Sequence, residues 1–571
     1  MSLAMVFESK PIMDAKEFES DIHSFGGVVA RPLNLNSVKK AASNKKISLL
    51  ALARSAAGSA PKNLTPERRA ELAISLLGCP APPPPLADFA DGISALPTDE
   101  RHYWIGTFYT LLLSEKVRRQ QATYFTPPYL AEAILDLAVS AGFDVCQHRV
   151  LDPAAGGAAF LSNVAARARA AGIDAKAALK RLCGIEIDAG LAQVSEALVA
   201  DRLGIASASK LITVSNALSL PAHASFDLVV ANPPYGRVTV ADLTDERWKD
   251  IAYSGHINKY AVFTELCLRY AKPGGLVALV LPSSFRAGPF YDRMRTYIRT
   301  QAQVLAIGFV PERKRVFADV QQDVSVLLLR KGTAHPREAL VDFPVLTPEG
   351  SGNVARLQLS VASGDPWPLP LTNGGQAGGA KLSDYGVEAR AGYFVWNREC
   401  DRLLPEHRVS AFPLIWAKNV RVGQPCRPAG KEGLKTDFVH FDGPSASIIR
   451  TSAAVMQRTT NDKQPRRLLA AVVAPDVVET WGGFVTENHT IVLTSEDAEQ
   501  IELVVALLNT AAVDDRYRLV SGTAAVSVKL LRDLDLPKPD AFRGALSRHG
   551  GDAEAAAIEA YGVNTAVPGN G

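Results

Sequence analysis

Apolar residues recur at helical spacing from Trp104 to Leu137, broken at Thr126-Pro127-Pro128. That pattern predicts a helix, a turn and a second helix, with Thr126 placed to cap the second. Beyond it, apolar runs alternate with amphipathic stretches. Strands are predicted at the run ending in Leu151, at Leu182 to Ile187, Leu211 to Val214, Phe226 to Val230, Leu276 to Leu281 and Val324 to Leu329. Helices are predicted at Phe160 to Ala171 and Tyr260 to Ala271, with a turn at Pro273-Gly274-Gly275. Strands separated by helical segments of that length imply βαβ units. The expected class is α/β, a doubly wound parallel sheet with helices on both faces and ligands bound at the carboxyl ends of its strands.

The flanks read differently. Residues 1 to about 100 are helix-biased, and the run Pro80 to Pro85 cannot continue a helix, so it reads as a linker or extended strap. After Arg330 the alternation fades, and the glycine-rich stretch Gly350 to Gly379 suggests a boundary. A chain of 571 residues allows about two to four domains. The expected limits are a helical extension over 1–100, the α/β domain over 101–345, a further domain over 380–545 and a tail over 546–571.

Composition narrows the class. With 47% hydrophobic and 21% charged residues the chain can bury sizeable cores and lacks the signature of disorder. A net charge of +3 does not by itself demand a polyanionic partner, but between Asp401 and Ala470 there are 12 Lys+Arg against 6 Asp+Glu, so any basic face is local to that stretch. The six cysteines are scattered without zinc spacing and read as reduced residues of a cytoplasmic protein, with no metal expected. The N-terminus has no secretory pattern and no apolar run reaches membrane-spanning length, so no membrane association is expected.

Chemistry concentrates at the predicted strand ends. Val150 to Phe160 reads as a strand, a turn of small residues and a helix; such a turn lets backbone N–H groups approach a ligand beside a helix N-terminus, although any tight βα turn uses Gly and Ala. Glu186 ends the next strand, where a carboxylate can accept from both hydroxyls of a ribose or simply cap the strand in solvent. Asn216 follows the third strand and could bond an adenine ring or serve the turn. Asn232-Pro233-Pro234-Tyr235 ends the fourth. Its two prolines fix φ, holding the Asn232 side chain and the Pro233 carbonyl as two rigid acceptors. Two fixed acceptors suit an exocyclic NH₂ such as adenine N6, and Tyr235 offers a flat face for an unstacked base.

With these motifs the chain resembles the N6-adenine DNA methyltransferases of the gamma arrangement, in which cofactor motifs come first and the target recognition domain last. The resemblance covers about residues 100 to 540. Thr123-Tyr124-Phe125-Thr126-Pro127-Pro128 is similar to the family's N-terminal cofactor-contact motif, Asp152 to Phe160 to its glycine motif, Glu186 to its ribose-binding acid and Asn232 to Tyr235 to its catalytic tetrapeptide. Only 16 positions separate Asn216 from Asn232, too few for an intervening recognition domain. Phe317, in Arg315-Val316-Phe317-Ala318-Asp319-Val320, resembles the second aromatic placed against the extruded base.

The resemblance implies a Rossmann-like class I methyltransferase domain with a helical N-terminal segment and a mixed α+β DNA-recognition domain. It implies S-adenosylmethionine as cofactor, held by Thr126, Pro127, Asp152, Ala154, Gly156, Glu186, Asn216 and Asn232, and catalysis by Asn232, Pro233, Pro234, Tyr235 and Phe317. The partner implied is double-stranded DNA, contacted by Arg458, Thr459, Arg466, Arg467, Asn488, His489 and Ser521, whose types suit phosphate and base-edge contacts. Two departures stand out: the glycine motif reads AAGGAAF, without the common Cys, Ser or His, and Asn216 stands where an acid is usual. No PD…(D/E)xK constellation appears in the first hundred residues, so cleavage is expected from a separate restriction endonuclease. Rival expectations are methylation of structured RNA or of a protein glutamine, and a non-catalytic DNA-binding subunit.

Overall fold

In the computed structural model, the residues described are 49–78, 84–114, 117–118, 125–238, 248, 251, 257–310, 323–360, 365–370, 377–428, 438–459, 464, 466–521 and 525–562. The centre is a nine-stranded sheet of β1 (Val150–Asp152), β2 (Leu182–Glu186), β3 (Ile212–Val214), β4 (Phe226–Ala231), β5 (Ala271–Pro282), β6 (Ala302–Phe309), β7 (Val324–Lys331), β8 (Leu340–Thr347) and β9 (Gly350–Gln358). They lie in the order β9-β8-β6-β7-β5-β4-β1-β2-β3. β3, β2, β1, β4 and β5 are mutually parallel. The expected all-parallel sheet is corrected on the other flank, where β7 runs antiparallel to both β5 and β6. The hairpin of β8 and β9 then extends the sheet into sequence read as the start of a boundary, because its exposed strand β9 lacks the apolar run that marks a buried one.

The strands of the centre form where the chain runs apolar. Leu228 to Ala231 of β4 and Val277 to Leu281 of β5 are wholly buried, as strands covered on both faces must be. Two cores flank the sheet. One gathers Leu130, Ile134 and Leu135 with Phe160 and Leu161; the other gathers Tyr260, Phe263 and Leu266 with Ile298.

A helical layer precedes the sheet: a segment over 49–59, then α1 (Pro66–Ile74), α2 (Pro84–Ser94), α3 (Thr98–Leu111) and α4 (Pro128–Ser140). Pro84 and Pro85, expected in an extended strap, open α2, since proline is tolerated in a first helical turn. Thr126 does not cap α4: the cap position is Pro127, without a side-chain bond, and the Thr126 hydroxyl is used elsewhere. Helices α5 (Ala159–Ala170), α6 (Ala189–Leu203), α7 (Lys259–Tyr270) and α8 (Asp292–Gln301) complete the layers. Leu191, Val194 and Leu198 of α6 join the core of the N-terminal layer with Trp104, Ile105 and Phe108.

Beyond residue 378 lie two four-stranded sheets and a helical cover that includes Ala498–Leu508, Ala511–Val520 and Pro539–Arg548. Arg286, 2% exposed just past β5, ties this part to the central sheet: its Nη1 donates to the Leu519 carbonyl at 2.7 Å and to that of Trp367 at 3.4 Å. Among the described residues no helix is long and apolar enough to cross a membrane.

Candidate active site

The carboxyl ends of β1, β2 and β4 meet the segment preceding α4. After β1 the chain turns through Ala154 and Gly156, the latter at φ 51°, and enters α5 from Ala158, a left-handed residue at φ 54°. Such a conformation costs an alanine about 1–2 kcal/mol, strain of the kind that collects at binding sites. Gly157 has no room for a side chain: a Cβ there would lie 1.9 Å from the Phe125 ring. The ring thereby fastens residues 125–127 onto the glycine turn.

Two carboxylates border that turn. Asp152 is 1% exposed and accepts from Ala154 N at 3.0 Å; burial, above all, pushes its carboxyl up to about 8, against the pull of that bond. Glu186 is also buried, and its pKa is raised by desolvation despite three backbone donors. Ile187 N and Asp188 N share its Oε1 at 2.9 and 3.0 Å, while Oε2 accepts from Gly156 N at 2.9 Å. Hydroxyl or ammonium groups of a ligand would relieve the desolvation of both carboxylates.

Asn232 follows β4 directly. Its Nδ2 donates to Thr126 Oγ1 at 3.2 Å and its Oδ1 accepts from the Tyr235 hydroxyl at 2.8 Å. Pro233 is buried, and Tyr235 is half-buried against both cores, its hydroxyl also 3.4 Å from the Val280 carbonyl. Sequence spacing foresaw a rigid acceptor but not that Tyr235 of the same tetrapeptide would bond it.

The structure therefore brings Thr126, Pro127, Asp152, Ala154, Gly156, Glu186 and Asn232 to one rim. Asn216 lies beside them, since Ser215 N donates to the Glu186 carbonyl at 2.9 Å, yet the Asn216 Oδ1 is engaged by Leu218 N at 3.1 Å, the turn function left open above. Phe317 falls outside the described residues.

Sequence reading gave no role to several neighbours. Tyr260 of α7 meets the Tyr235 ring edge-on, centroids 6.3 Å apart, and stacks on Tyr291 at 5.1 Å; Asn258 and Ser284 bond the Tyr291 and Tyr260 hydroxyls. No local pattern signals this, because the partners are scattered from 235 to 291. Ile187, 62% exposed right after Glu186, offers an apolar surface beside the carboxylate. Here a signal existed, since a large apolar residue next to a strand-end acid has no core to enter.

Of the residues expected to touch DNA, Arg458, Thr459, Asn488 and His489 cluster at one end of the sheet that pairs Gln457 with Thr490. Arg458 N donates to the His489 carbonyl at 2.8 Å and its Nη1 to that of Asn488 at 3.3 Å, while the exposed His489 imidazole pairs with buried Glu487. Arg466 lies 3.5 Å from Glu554 instead, and Arg467 and Ser521 are 7% and 3% exposed. Those last two sit inside the fold because Asp514 accepts from the backbone N–H groups of Arg467 and Leu468, and Ser521 closes the 511–520 helix.

Residues 101–348 match the family model of the N-6 DNA methylases. That segment is similar to the N-6 DNA methylases. The chain is 22% identical over 334 residues to the type II methyltransferase M.PstI of Providencia stuartii, covering 55% of this chain and 65% of that protein. Identity to the type II methyltransferase M.BsuBI of Bacillus subtilis is 23% over 359 residues, covering 55% and 66%. This chain thus spans just under two thirds of the length of each. Among solved structures, the type IIL restriction-modification enzyme MmeI in complex with DNA aligns at TM-score 0.47 and 11% identity, over 82% of this chain and 79% of that one.

Proposed function

We propose that the protein transfers a methyl group from S-adenosylmethionine to N6 of adenine in specific sequences of duplex DNA, as the modification enzyme of a restriction-modification system. The observation that carries the reading is the corner after β4, where Asn232 is fixed between Thr126 and Tyr235 at the rim that also holds Asp152, Gly156 and Glu186. When bound, the cofactor supplies an activated methyl on a sulfonium, so no metal or protein nucleophile is needed.

The chain's own residues then align, desolvate and polarise. Glu186 and Asp152 accept hydroxyl and amine donors, while the backbone at Gly156 closes on the ligand. The adenine leaves the duplex at a cost of a few kcal/mol, offset by stacking on Tyr235. Asn232 Oδ1 and the Pro233 carbonyl accept both N6 hydrogens, localising the nitrogen lone pair for attack; the proton displaced on methylation passes to water. Arg458, Thr459, Asn488 and His489 contact the duplex, and cleavage belongs to a separate endonuclease.

The test is radiolabelled methyl transfer to DNA, RNA and protein in parallel, with wild type and Asn232→Ala. Label in N6-methyladenine of DNA, abolished by the substitution while cofactor binding persists, supports the reading. Label in RNA or protein, or an unchanged rate in the variant, overturns it.

A further inference from the structure

We propose that the N-terminal helical layer sets the cofactor-binding end of β2, with Tyr109 of α3 and Arg69 of α1 as positioning residues acting through Asp188. The inference rests on the reading of Glu186 as the ribose-binding acid.

Three polar groups converge on Asp188. Tyr109, fully buried, donates its hydroxyl to Asp188 Oδ1 at 2.5 Å. Burial first, and then this bond, hold the phenol well above its ordinary pKa, so it stays a donor across the physiological range. Arg69 approaches the other oxygen, Oδ2, at 3.6 Å, with its guanidinium 5.7 Å over the Tyr109 ring and its Nη1 anchored on the Leu64 carbonyl at 2.7 Å. Asp188 itself caps α6 by accepting from Leu191 N at 2.9 Å.

Asp188 passes this restraint to the acid. Its backbone N–H donates to Glu186 Oε1 at 3.0 Å, and Glu186 Oε2 holds Gly156 N. The run from α1 and α3 through Asp188 and Glu186 to the glycine turn is continuous. It is also electrostatic: the Asp188 charge disfavours ionisation of Glu186, and Arg69 counters that charge.

The closeness of the approach shows that this junction is built and not incidental. A Cβ on Gly190 would fall 2.2 Å from the Pro66 carbonyl oxygen and 2.4 Å from the Tyr109 hydroxyl. A layer that only covered apolar surface would meet α6 through Leu191, Val194 and Leu198, which it does, without aiming a phenol and a guanidinium at the residue two past the acid. The far end of α6 is gripped as well, where His102 lies 2.8 Å from Asp201 and Arg202 pairs with Asp99. The helix is thus clamped at both ends while its first turn carries the load toward Glu186.

The experiment titrates the full chain with S-adenosylmethionine by calorimetry and measures transfer kinetics for Tyr109→Phe, Arg69→Ala and Arg69→Lys. Both Tyr109→Phe and Arg69→Ala should weaken cofactor binding about tenfold, with cofactor KM rising in step. Their kcat at saturating cofactor and their duplex affinity should stay within about twofold of wild type, and Arg69→Lys should recover most of the loss. Unchanged cofactor affinity in Tyr109→Phe and Arg69→Ala, or equal losses in kcat and duplex affinity, overturns the proposal while leaving the methylase reading intact. A wild-type chain that fails to bind the cofactor overturns both.

Discussion

The hydroxyl of Tyr235 donates to Oδ1 of Asn232 at 2.8 Å, so the tetrapeptide closes on itself. The amide oxygen proposed to receive an adenine amino group thus already accepts one hydrogen bond, with a second lone pair left for an arriving base. Ring and hydroxyl of Tyr235 therefore have separable tasks. Tyr235→Ala, which removes the stacking face, should lower transfer into duplex roughly 10- to 100-fold. Tyr235→Phe keeps the ring and should stay within about threefold. Single-turnover kinetics check this, with 2-aminopurine fluorescence at the target position reporting base extrusion. Equal losses in the two variants would assign the effect to the hydroxyl.

Gly157 is predicted to tolerate no side chain. Gly157→Ala places a methyl 1.9 Å from the Phe125 ring, and overpacking of this kind costs about 1–3 kcal/mol. Displacing Phe125 also moves Thr126, so cofactor affinity should fall together with the melting temperature. Phe125→Leu in the same chain should restore part of both; a double variant no better than Gly157→Ala would contradict the contact.

Asp152 gives a pH dependence with a definite sign. Its carboxyl titrates at about 8 in the folded chain because burial disfavours the charge, against an ordinary value of 3.8. The folded state therefore binds the proton more tightly than the unfolded one, and the stability linked to it is fully present below about pH 4 and lost as pH rises through about 8. Without cofactor, wild type should lose melting temperature relative to Asp152→Asn between about pH 4 and about pH 8, the window spanned by the two values. Parallel curves for the two proteins would refute it.

Arg286 should couple the unfolding of the two halves. Its guanidinium is desolvated, which lowers its pKa to about 10, and it holds the Leu519 and Trp367 carbonyls. Removing these charged donors with Arg286→Met should cost about 2–3 kcal/mol. Calorimetry of wild type and variant side by side should then show the variant's unfolding broader or split; identical transitions would show that the apolar contacts alone carry the junction.

The sequence displayed the parts of this molecule that depend on near neighbours. β4 and β5 were readable because their wholly apolar runs can only be strands buried on both faces, and α5 and α7 because their apolar residues repeat at helical spacing. The tetrapeptide was readable because two prolines dictate their own φ. What depends on distant partners stayed hidden. Thr126 looked like a helix cap because it stands just before Pro-Pro, but its oxygen meets Asn232 from 106 positions away. Arg467 looked like a surface cation, yet it lies inside because Asp514 draws in its backbone. The antiparallel β7 and the hairpin after it carry no local mark of direction, since strand orientation is set by what lies alongside.

The grip of Arg286 on Leu519 has a consequence for how such chains diversify. The guanidinium binds a main-chain oxygen and takes no account of which side chain stands at that position. On the proposed function, the surface beyond it that would read DNA is free to be rewritten residue by residue, or exchanged whole with that of a relative, while the seam to the central sheet stays constant. Under that same proposal, retargeting the chain to a new DNA word becomes a matter of keeping the backbone path near residue 519 and changing what projects from the loops beyond.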